Sequence, residues 1–267
     1  MGNKASTTST PSTMKLLTYN VWFAEQAIQA RSHRLFEIIQ SHQPDVVALQ
    51  EVTSAFLFFL MEHSDILSSI TLLVEPSLAS RSKSYGVALL VAKRHKVIRT
   101  LEHTFDSSRQ GRGLWAVQLP SLWLATMHFE SPVQGNTGEG ERRLQLETTQ
   151  RLLQHHAKAS GVATAIIMGD FNAVTEVEAA WIAPEWSDVW LRLRPDDAGY
   201  TYDKNTNPYV RRYATRIDKV VVYGQEYVGT SIERVGLPEE GKVTASDHYG
   251  LVTVLQLSAG PSDGVAT

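Results

Sequence analysis

Apolar residues gather along this chain in short dense runs of strand length. Lys15 to Tyr19, Asp45 to Leu49, Tyr85 to Ala92, Leu114 to Leu119, Trp123 to Met127, Ala163 to Met168, Lys219 to Tyr223 and Leu251 to Leu257 are strand candidates, rich in β-branched and aromatic residues. Between several of them the period lengthens to that of a helix. Ser32 to Ser41 places Leu35, Ile38 and Ile39 on one face, and Glu141 to Lys158 carries Leu144, Leu152 and Leu153 among its apolar positions. Thr175 and Glu178 have capping-box spacing ahead of Ala179, Ala180 and Trp181. The aromatic-rich run Ala55 to Met61 is compatible with a buried helix or a strand.

Helices alternate with strands in the first part, whereas Tyr85 to Met127 reads as consecutive strands. That pattern predicts a mixed sheet, or two packed sheets, with helices outside. Asp196 to Arg212, rich in Asp, Asn, Pro and Tyr, reads as a long surface loop. No linker interrupts the chain, so a single domain is expected over 14–258, between an N-terminal tail (1–13) and a short C-terminal tail (259–267). The first tail is almost all Ser, Thr and small residues, which bury too little apolar surface to offset ordering entropy.

Composition narrows the chemistry. Hydrophobic residues make up 43% of the 267 residues and charged residues 20%, as in soluble globular domains with a sizeable core. There is no cysteine, which removes disulfides, zinc-thiolate sites and thiol nucleophiles together; any metal must use oxygen or imidazole. A net charge of −3 lacks the basic footprint of a protein that coats long duplexes, so a nucleic-acid substrate has to be gripped locally. No apolar stretch approaches the roughly 20 residues of a membrane span. Met1-Gly2-Asn3-Lys4-Ala5-Ser6 fits the N-myristoylation pattern, and one acyl chain at Gly2 gives only a weak tether.

The polar residues matter most where they sit. Leu16 to Tyr19 runs into Asn20, Asp45 to Leu49 into Gln50 and Glu51, Trp123 to Met127 into His128, Glu130 and Ser131, and Ala165 to Met168 into Gly169, Asp170 and Asn172. Functional groups gather at the carboxyl ends of strands in α/β sheets, so these endings should converge on one rim. Each alone is ordinary turn chemistry. Their coexistence with Ser246-Asp247-His248 is less ordinary, and hard oxygen ligands without thiolates suit Mg²⁺ or Mn²⁺ acting on phosphate.

Thr18-Tyr19-Asn20, Leu49-Gln50-Glu51, Gly169-Asp170-Phe171-Asn172, Arg216-Ile217-Asp218 and Ser246-Asp247-His248, in that order, resemble the endonuclease/exonuclease/phosphatase family. Its 5′-tyrosyl-DNA phosphodiesterase branch is similar at His128-Phe129-Glu130-Ser131, Glu141-Arg142, Gln145-Leu146, Asp188-Val189-Trp190 and Tyr200-Thr201-Tyr202-Asp203. Two positions depart from it: Tyr202 stands where that branch carries Trp, and no arginine follows Asn172. The resemblance implies a four-layer α/β sandwich of two packed mixed β-sheets flanked by helices. It implies Glu51 as direct Mg²⁺ ligand (Mn²⁺ substituting), with Asn20 and Asp247 holding the metal's waters. Asp170 would activate the attacking water, Asn172 would position it, and His248 would donate to the scissile phosphate with Asp218 behind it. His128 and Ser131 would add phosphate contacts. Tyr202 would stack on a terminal base, and Arg112 and Arg216 would meet DNA phosphates.

The activity implied is hydrolysis of the bond between DNA 5′ ends and a tyrosyl or peptide adduct, as in repair of trapped topoisomerase 2, by a monomer in the nucleus or cytoplasm. The alternatives are another hydrolase of the family, acting on abasic DNA, poly(A) tails or phosphoinositides, and a non-catalytic DNA-end-binding protein. Trp115, Trp123 and Trp186 are expected in the core, Arg211 and Arg212 in solvent, and the adjacent His155 and His156 face apart on their helix.

Overall fold

The computed structural model describes residues 11–80 and 84–258; the acylation pattern at Gly2 and the C-terminal tail lie outside them. In chain order the elements are β1 (Thr13–Asn20), α1 (Ile28–His42), β2 (Val46–Thr53), α2 (Ser54–Glu62), α3 (Ser64–Ser69), β3 (Ile70–Val74), α4 (Pro76–Ala79), β4 (Tyr85–Ala92), β5 (Arg99–Thr104), β6 (Gly113–Gln118) and β7 (Leu122–His128). There follow α5 (Glu139–Ser160), β8 (Thr164–Asp170), α6 (Glu176–Ala179), β9 (Trp186–Asp188), α7 (Val189–Leu193), β10 (Tyr202–Asp203), β11 (Ala214–Thr215), β12 (Asp218–Tyr223), β13 (Tyr227–Val235) and β14 (Gly250–Leu257).

Two six-stranded sheets form, in the orders β13-β14-β1-β2-β4-β3 and β5-β6-β7-β8-β12-β9. In each, one pair is parallel, β1 with β2 and β7 with β8, and the other pairs are antiparallel. Parallel neighbours need a crossover connection, and α1 and α5 supply the two. Along the central strands both faces are apolar, which is why they read as unbroken hydrophobic runs. Leu16, Val46, Ala48 and Leu89 face Val117, Leu124, Ile166, Met168 and Val220 across the space between the sheets. The alternate residues Leu17, Val47 and Leu49 pack on Leu35, Phe36 and Ile39 of α1 and on Phe56 and Leu60 of α2. On the far side Ala125, Met127, Ala165 and Ile167 pack on Leu146, Leu153 and Ala157 of α5. The result is the expected four-layer sandwich, and Trp115, Trp123 and Trp186 lie in its core.

The run Ala55 to Met61 is helical, α2, with Thr53 Oγ1 accepting from Phe56 N at 3.1 Å as its cap. The capping box forms reciprocally: Glu178 N donates to Thr175 Oγ1 (3.3 Å) and Thr175 N to Glu178 Oε2 (3.0 Å). Thr13, at the boundary set for the N-terminal tail, already pairs with Gln256 in the sheet. The segment Asp196 to Arg212 is not simply a surface loop, since Thr201, Asp203, Asn207 and Val210 are buried and β10 pairs with β11. No helix among the described residues is long and apolar enough to cross a membrane.

Candidate active site

The sheet registers bring the polar strand ends to one rim. Asn20 lies beside Gln50 in the parallel β1–β2 pair, His128 beside Asp170 in β7–β8, and the antiparallel β12 sets Asp218 opposite Asp170. Ser246 to His248 lead into β14, which pairs with β1. Local backbone breaks aim the side chains. β2 shifts register between Leu49 and Val52, with Glu51 at a left-handed φ of 58°, so the chain turns Glu51 out of the ladder. Gly169 has φ 151°, and a Cβ there would meet Met127 O at 2.3 Å, so only glycine lets β8 press against β7 just before Asp170. Gln50 bridges the sheets beneath, donating to Thr18 Oγ1 (3.1 Å) and Thr126 Oγ1 (2.9 Å).

Asp170 is the hub. Its Oδ2 accepts from Asn20 Nδ2 at 3.0 Å and its Oδ1 from Asn172 N at 2.8 Å, and Nε2 of His128 and of His248 stand 3.4 and 3.9 Å from Oδ2. Burial, then the neighbouring charge of Asp218, raises its carboxyl to about 7. The two imidazoles are held in opposite states. Burial alone would push His248 down, but the charge and hydrogen bond of Asp218, whose Oδ2 accepts from Nδ1 at 2.8 Å, override it and hold His248 well above the usual range. Burial, then Arg112, pushes His128 well below it. Arg112 Nη1 donates to His128 Nδ1 at 2.8 Å, which leaves the proton of the neutral ring on Nε2, facing Asp170 and, at 3.8 Å, Glu51.

The remaining expected residues divide. Asn172 Nδ2 donates to Phe129 O (3.0 Å) and to Ser131 Oγ (3.2 Å), so Asn172 and Ser131 sit together. Asp247 stands 4.0 Å from His248 Nε2, and burial followed by the charge of Glu51 takes its carboxyl up to about 6. Half-buried Tyr202 turns its ring edge-on to His248, centroids 5.2 Å apart. Arg112 is buried and directed inward, to His128, Ser131 Oγ (3.0 Å) and Gln110 Oε1 (2.8 Å), where it orients His128. Arg216, expected to meet DNA phosphate, is buried, and its Nη1 donates to both oxygens of Asp188, at 2.9 and 3.2 Å, which ties it to the scaffold.

Three contributors escaped the sequence reading. Tyr85 lies under the Arg112 guanidinium (5.4 Å), and with Gln110, Arg112 and His128 it lines a cavity of about 400 Å³ beside the hub. Thr201 Oγ1 accepts the main-chain N–H of Ile217 (3.2 Å) and Asp218 (3.1 Å), and its carbonyl accepts from Tyr249 N (2.7 Å), so one residue fastens the backbone at Asp218 and at the residue after His248. Arg31 lies beneath the rim.

Does this arrangement suit a divalent cation? Four carboxylates, Glu51, Asp170, Asp218 and Asp247, cluster with one strongly basic imidazole, and two of them, Asp170 and Asp247, are pushed upward by burial first and then by a neighbouring carboxylate. A buried oxygen-rich cluster with uncompensated charge fits a hard cation. Oxygens of Asp170 and Asp218 and a nitrogen of His248 lie within 4.8 Å of one another and could hold an ion. Within that group His248 Nδ1 and Asp218 Oδ2 already satisfy each other, and the carboxylates of Glu51 and Asp247 stand beside it, 3.8 Å from His128 Nε2 and 4.0 Å from His248 Nε2.

Comparison with known proteins agrees with this architecture. The model of the endonuclease/exonuclease/phosphatase family matches residues 17–248, which takes in every strand end at the rim. Tyrosyl-DNA phosphodiesterase 2 of Mus musculus is 25% identical over 273 residues, 95% of this chain and 70% of that protein. Exodeoxyribonuclease III of Haemophilus influenzae is 29% identical over 185 residues, 67% of this chain and 65% of that protein. Among solved structures, TDP2 from Caenorhabditis elegans superposes with a TM-score of 0.79 at 18% identity, covering 91% of this chain and 74% of that one, and so shares the fold. D. rerio TDP2 complexed with single strand DNA product gives 0.77 at 22% identity, covering 92% and 100%. With phosphate chemistry indicated by the rim and the family match spanning nearly the whole described chain, this protein is a phosphodiester hydrolase that belongs to the endonuclease/exonuclease/phosphatase family.

Proposed function

We propose that this protein hydrolyses the phosphodiester bond between a tyrosine phenol and a DNA 5′ end, leaving a 5′-phosphate, with Mg²⁺ as the resident cation. The observation that supports hydrolysis best is the Asp170 carboxyl, raised to about 7 and held between Asn20, Asn172 and two imidazoles in opposite protonation states. The tyrosyl-DNA assignment draws on the likeness to Tyrosyl-DNA phosphodiesterase 2 along 95% of the chain.

Glu51 would ligate the cation directly, and Asn20 and Asp247 would hold its waters; when bound it neutralises charge on the non-bridging phosphate oxygens. Asp170 takes a proton from a water as the water oxygen bonds to phosphorus in line with the departing phenolic oxygen. The N–H at His248 Nε2 donates to a non-bridging oxygen while Asp218 retains the proton on Nδ1, and Asn172 and Ser131 orient the group from the other side. The P–O bond to the phenol breaks with its electron pair on the phenolate, which then takes a proton from solvent. A phenolate leaves more readily than an alkoxide. That suits a rim whose strongly basic imidazole is engaged by the phosphate.

Turnover of a 5′-phosphotyrosyl oligonucleotide with Mg²⁺, beside abasic duplex, poly(A) and a phosphoinositide, tests the assignment. Preferred cleavage of the tyrosyl substrate is expected, with Asp170→Asn slowing it by about 10²- to 10⁴-fold, the usual worth of a general base. Cleavage of abasic duplex with the tyrosyl substrate left intact would refute the tyrosyl assignment and move the activity to another hydrolase of the family.

A further inference from the structure

Arg31, on α1, is 1% exposed, and its guanidinium meets five main-chain carbonyls and, among the described residues, no carboxylate within ion-pair distance. Nε donates to Gln26 O at 2.8 Å, Nη1 to Val21 O at 2.8 Å and Ala245 O at 3.3 Å, and Nη2 to Trp22 O at 3.3 Å and to Ala24 O. Its carbon lies 4.6 Å from the centroid of the Trp22 ring. A charge taken out of water with no counter-ion beside it is costly, so it needs a reason.

The reason is what those carbonyls belong to. Residues 21–26 form the loop that follows Asn20, and two of its amides grip rim side chains: Trp22 N donates to Asn20 Oδ1 and Phe23 N to Glu51 Oε2, both at 2.9 Å. Ala245 stands two residues before Asp247 and is fastened to the same guanidinium. Trp22 occupies a left-handed φ of 60°, a strained conformation for an aromatic residue that persists only where its surroundings impose it. The fork and flat face of Arg31 impose it, and they join the Asn20–Glu51 side of the rim to the Asp247 side. A lysine could supply the charge but not this geometry.

We propose that Arg31 is a positioning residue for the cation-binding cluster, holding Asn20, Glu51 and Asp247 at the mutual spacing a divalent ion requires through the loop 21–26 and the carbonyl of Ala245. This rests on the reading that those three residues serve the cation. The test is direct Mn²⁺ binding by electron paramagnetic resonance, without substrate, on the full chain. Arg31→Lys should weaken Mn²⁺ binding about 10- to 100-fold, the usual effect of removing a group that orients metal ligands. At saturating cation its KM should stay at the wild-type value. Asp45→Asn, which disturbs an ion-pair cluster at the far end of β2, should leave Mn²⁺ affinity unchanged. Wild-type affinity in folded Arg31→Lys overturns the proposal, as does equal weakening in Asp45→Asn. Should Arg31→Lys fail to fold, Trp22→Leu decides at a half-exposed position: weakened Mn²⁺ binding supports the proposal and wild-type affinity ends it. Glu51→Gln separates the two levels. If it binds Mn²⁺ as wild type does, the cation reading falls and takes the proposal with it; if it loses Mn²⁺ while Arg31→Lys does not, only the role of Arg31 falls.

Discussion

Replacing Asp218 by Asn changes charge and almost nothing else. In the wild type its Oδ2 accepts from His248 Nδ1 at 2.8 Å, while its buried Oδ1 accepts no hydrogen bond from the described residues. It also stands opposite Asp170 in the β8–β12 ladder, so two carboxylates repel across one pair of strands. The variant relieves that repulsion but also takes from His248 the carboxylate that holds its buried proton, so the two effects on stability oppose each other, and the Asn oxygen can still accept from Nδ1 to keep the fold. Activity should fall clearly. A hydrogen bond to a charged group contributes about 1.5–3 kcal/mol, or about 10- to 150-fold in rate at 1.36 kcal/mol per decade. To this is added the loss of the protonated imidazole. Asp218 is the main influence holding His248 above the usual range against burial, so without it the ring loses its proton at lower pH. The sign follows: activity that requires His248 protonated falls as pH rises through its folded pKa, and that alkaline limb should shift to lower pH in Asp218→Asn. Together the two effects place the loss in kcat at about 10²- to 10⁴-fold, the span usual for acid–base groups. The assay is a pH–rate profile on a 5′-phosphotyrosyl oligonucleotide beside a urea unfolding curve. Retention of the wild-type alkaline limb with near-wild-type kcat would refute the assignment of His248 as the phosphate donor poised by Asp218.

Thr201→Val should reduce kcat and lower the denaturation midpoint, since the buried N–H groups of Ile217 and Asp218 lose their acceptor at about 1–3 kcal/mol each, and Thr201→Ser should restore both because the hydroxyl oxygen returns; equal losses in both variants would assign the effect to packing. Arg142→Met leaves Glu178 buried without the guanidinium it pairs with, and should cost about 3–5 kcal/mol in urea unfolding, partly recovered in the double variant with Glu178→Gln. A loss no larger than for a surface charge would show that the amides of Val174 and Thr175 suffice for Glu178. Burial, then Arg216, lowers buried Lys219 from 10.5 to about 8. Below that pH both folded and unfolded chains carry its proton and folding bears the buried charge. From about pH 8 upward the folded chain releases it while the unfolded chain keeps it, so stability should rise with pH over the first units above 8. In Lys219→Met that rise should vanish and stability at pH 7 should increase; a persistent alkaline rise would assign it to another group.

The residues readable from the chain share one property: each closes an apolar run. Asn20, Glu51, His128 and Asp170 end β-rich stretches, and parallel pairing of β1 with β2 and β7 with β8 carries those ends to one rim, so the ends of dense apolar runs alone approached the site. The antiparallel strand β12 contributes from its first residue, Asp218, which patterning does not mark and which only the resemblance to a family supplied. The strands β3, β5, β9 and β13 went unread for a related reason. β5 and β13 carry exposed polar positions and β9 has three residues, whereas β3, Ile70–Val74, is apolar enough but only five residues long and lies at a sheet edge. Arg216 and Arg31 set the limit. Both are single arginines flanked by ordinary residues, and their meaning lies in partners distant along the chain: Asp188 for one, the carbonyls of Val21 and Ala245 for the other. A carbonyl leaves no trace in a side-chain pattern. An arginine that binds carbonyls is therefore indistinguishable, before folding, from one that faces water, although here it ties together the two sides of the rim. The residues that do chemistry at this rim are marked by type and place, whereas those that hold the first group in position are marked by backbone they do not own, and become visible only once the two sheets have closed.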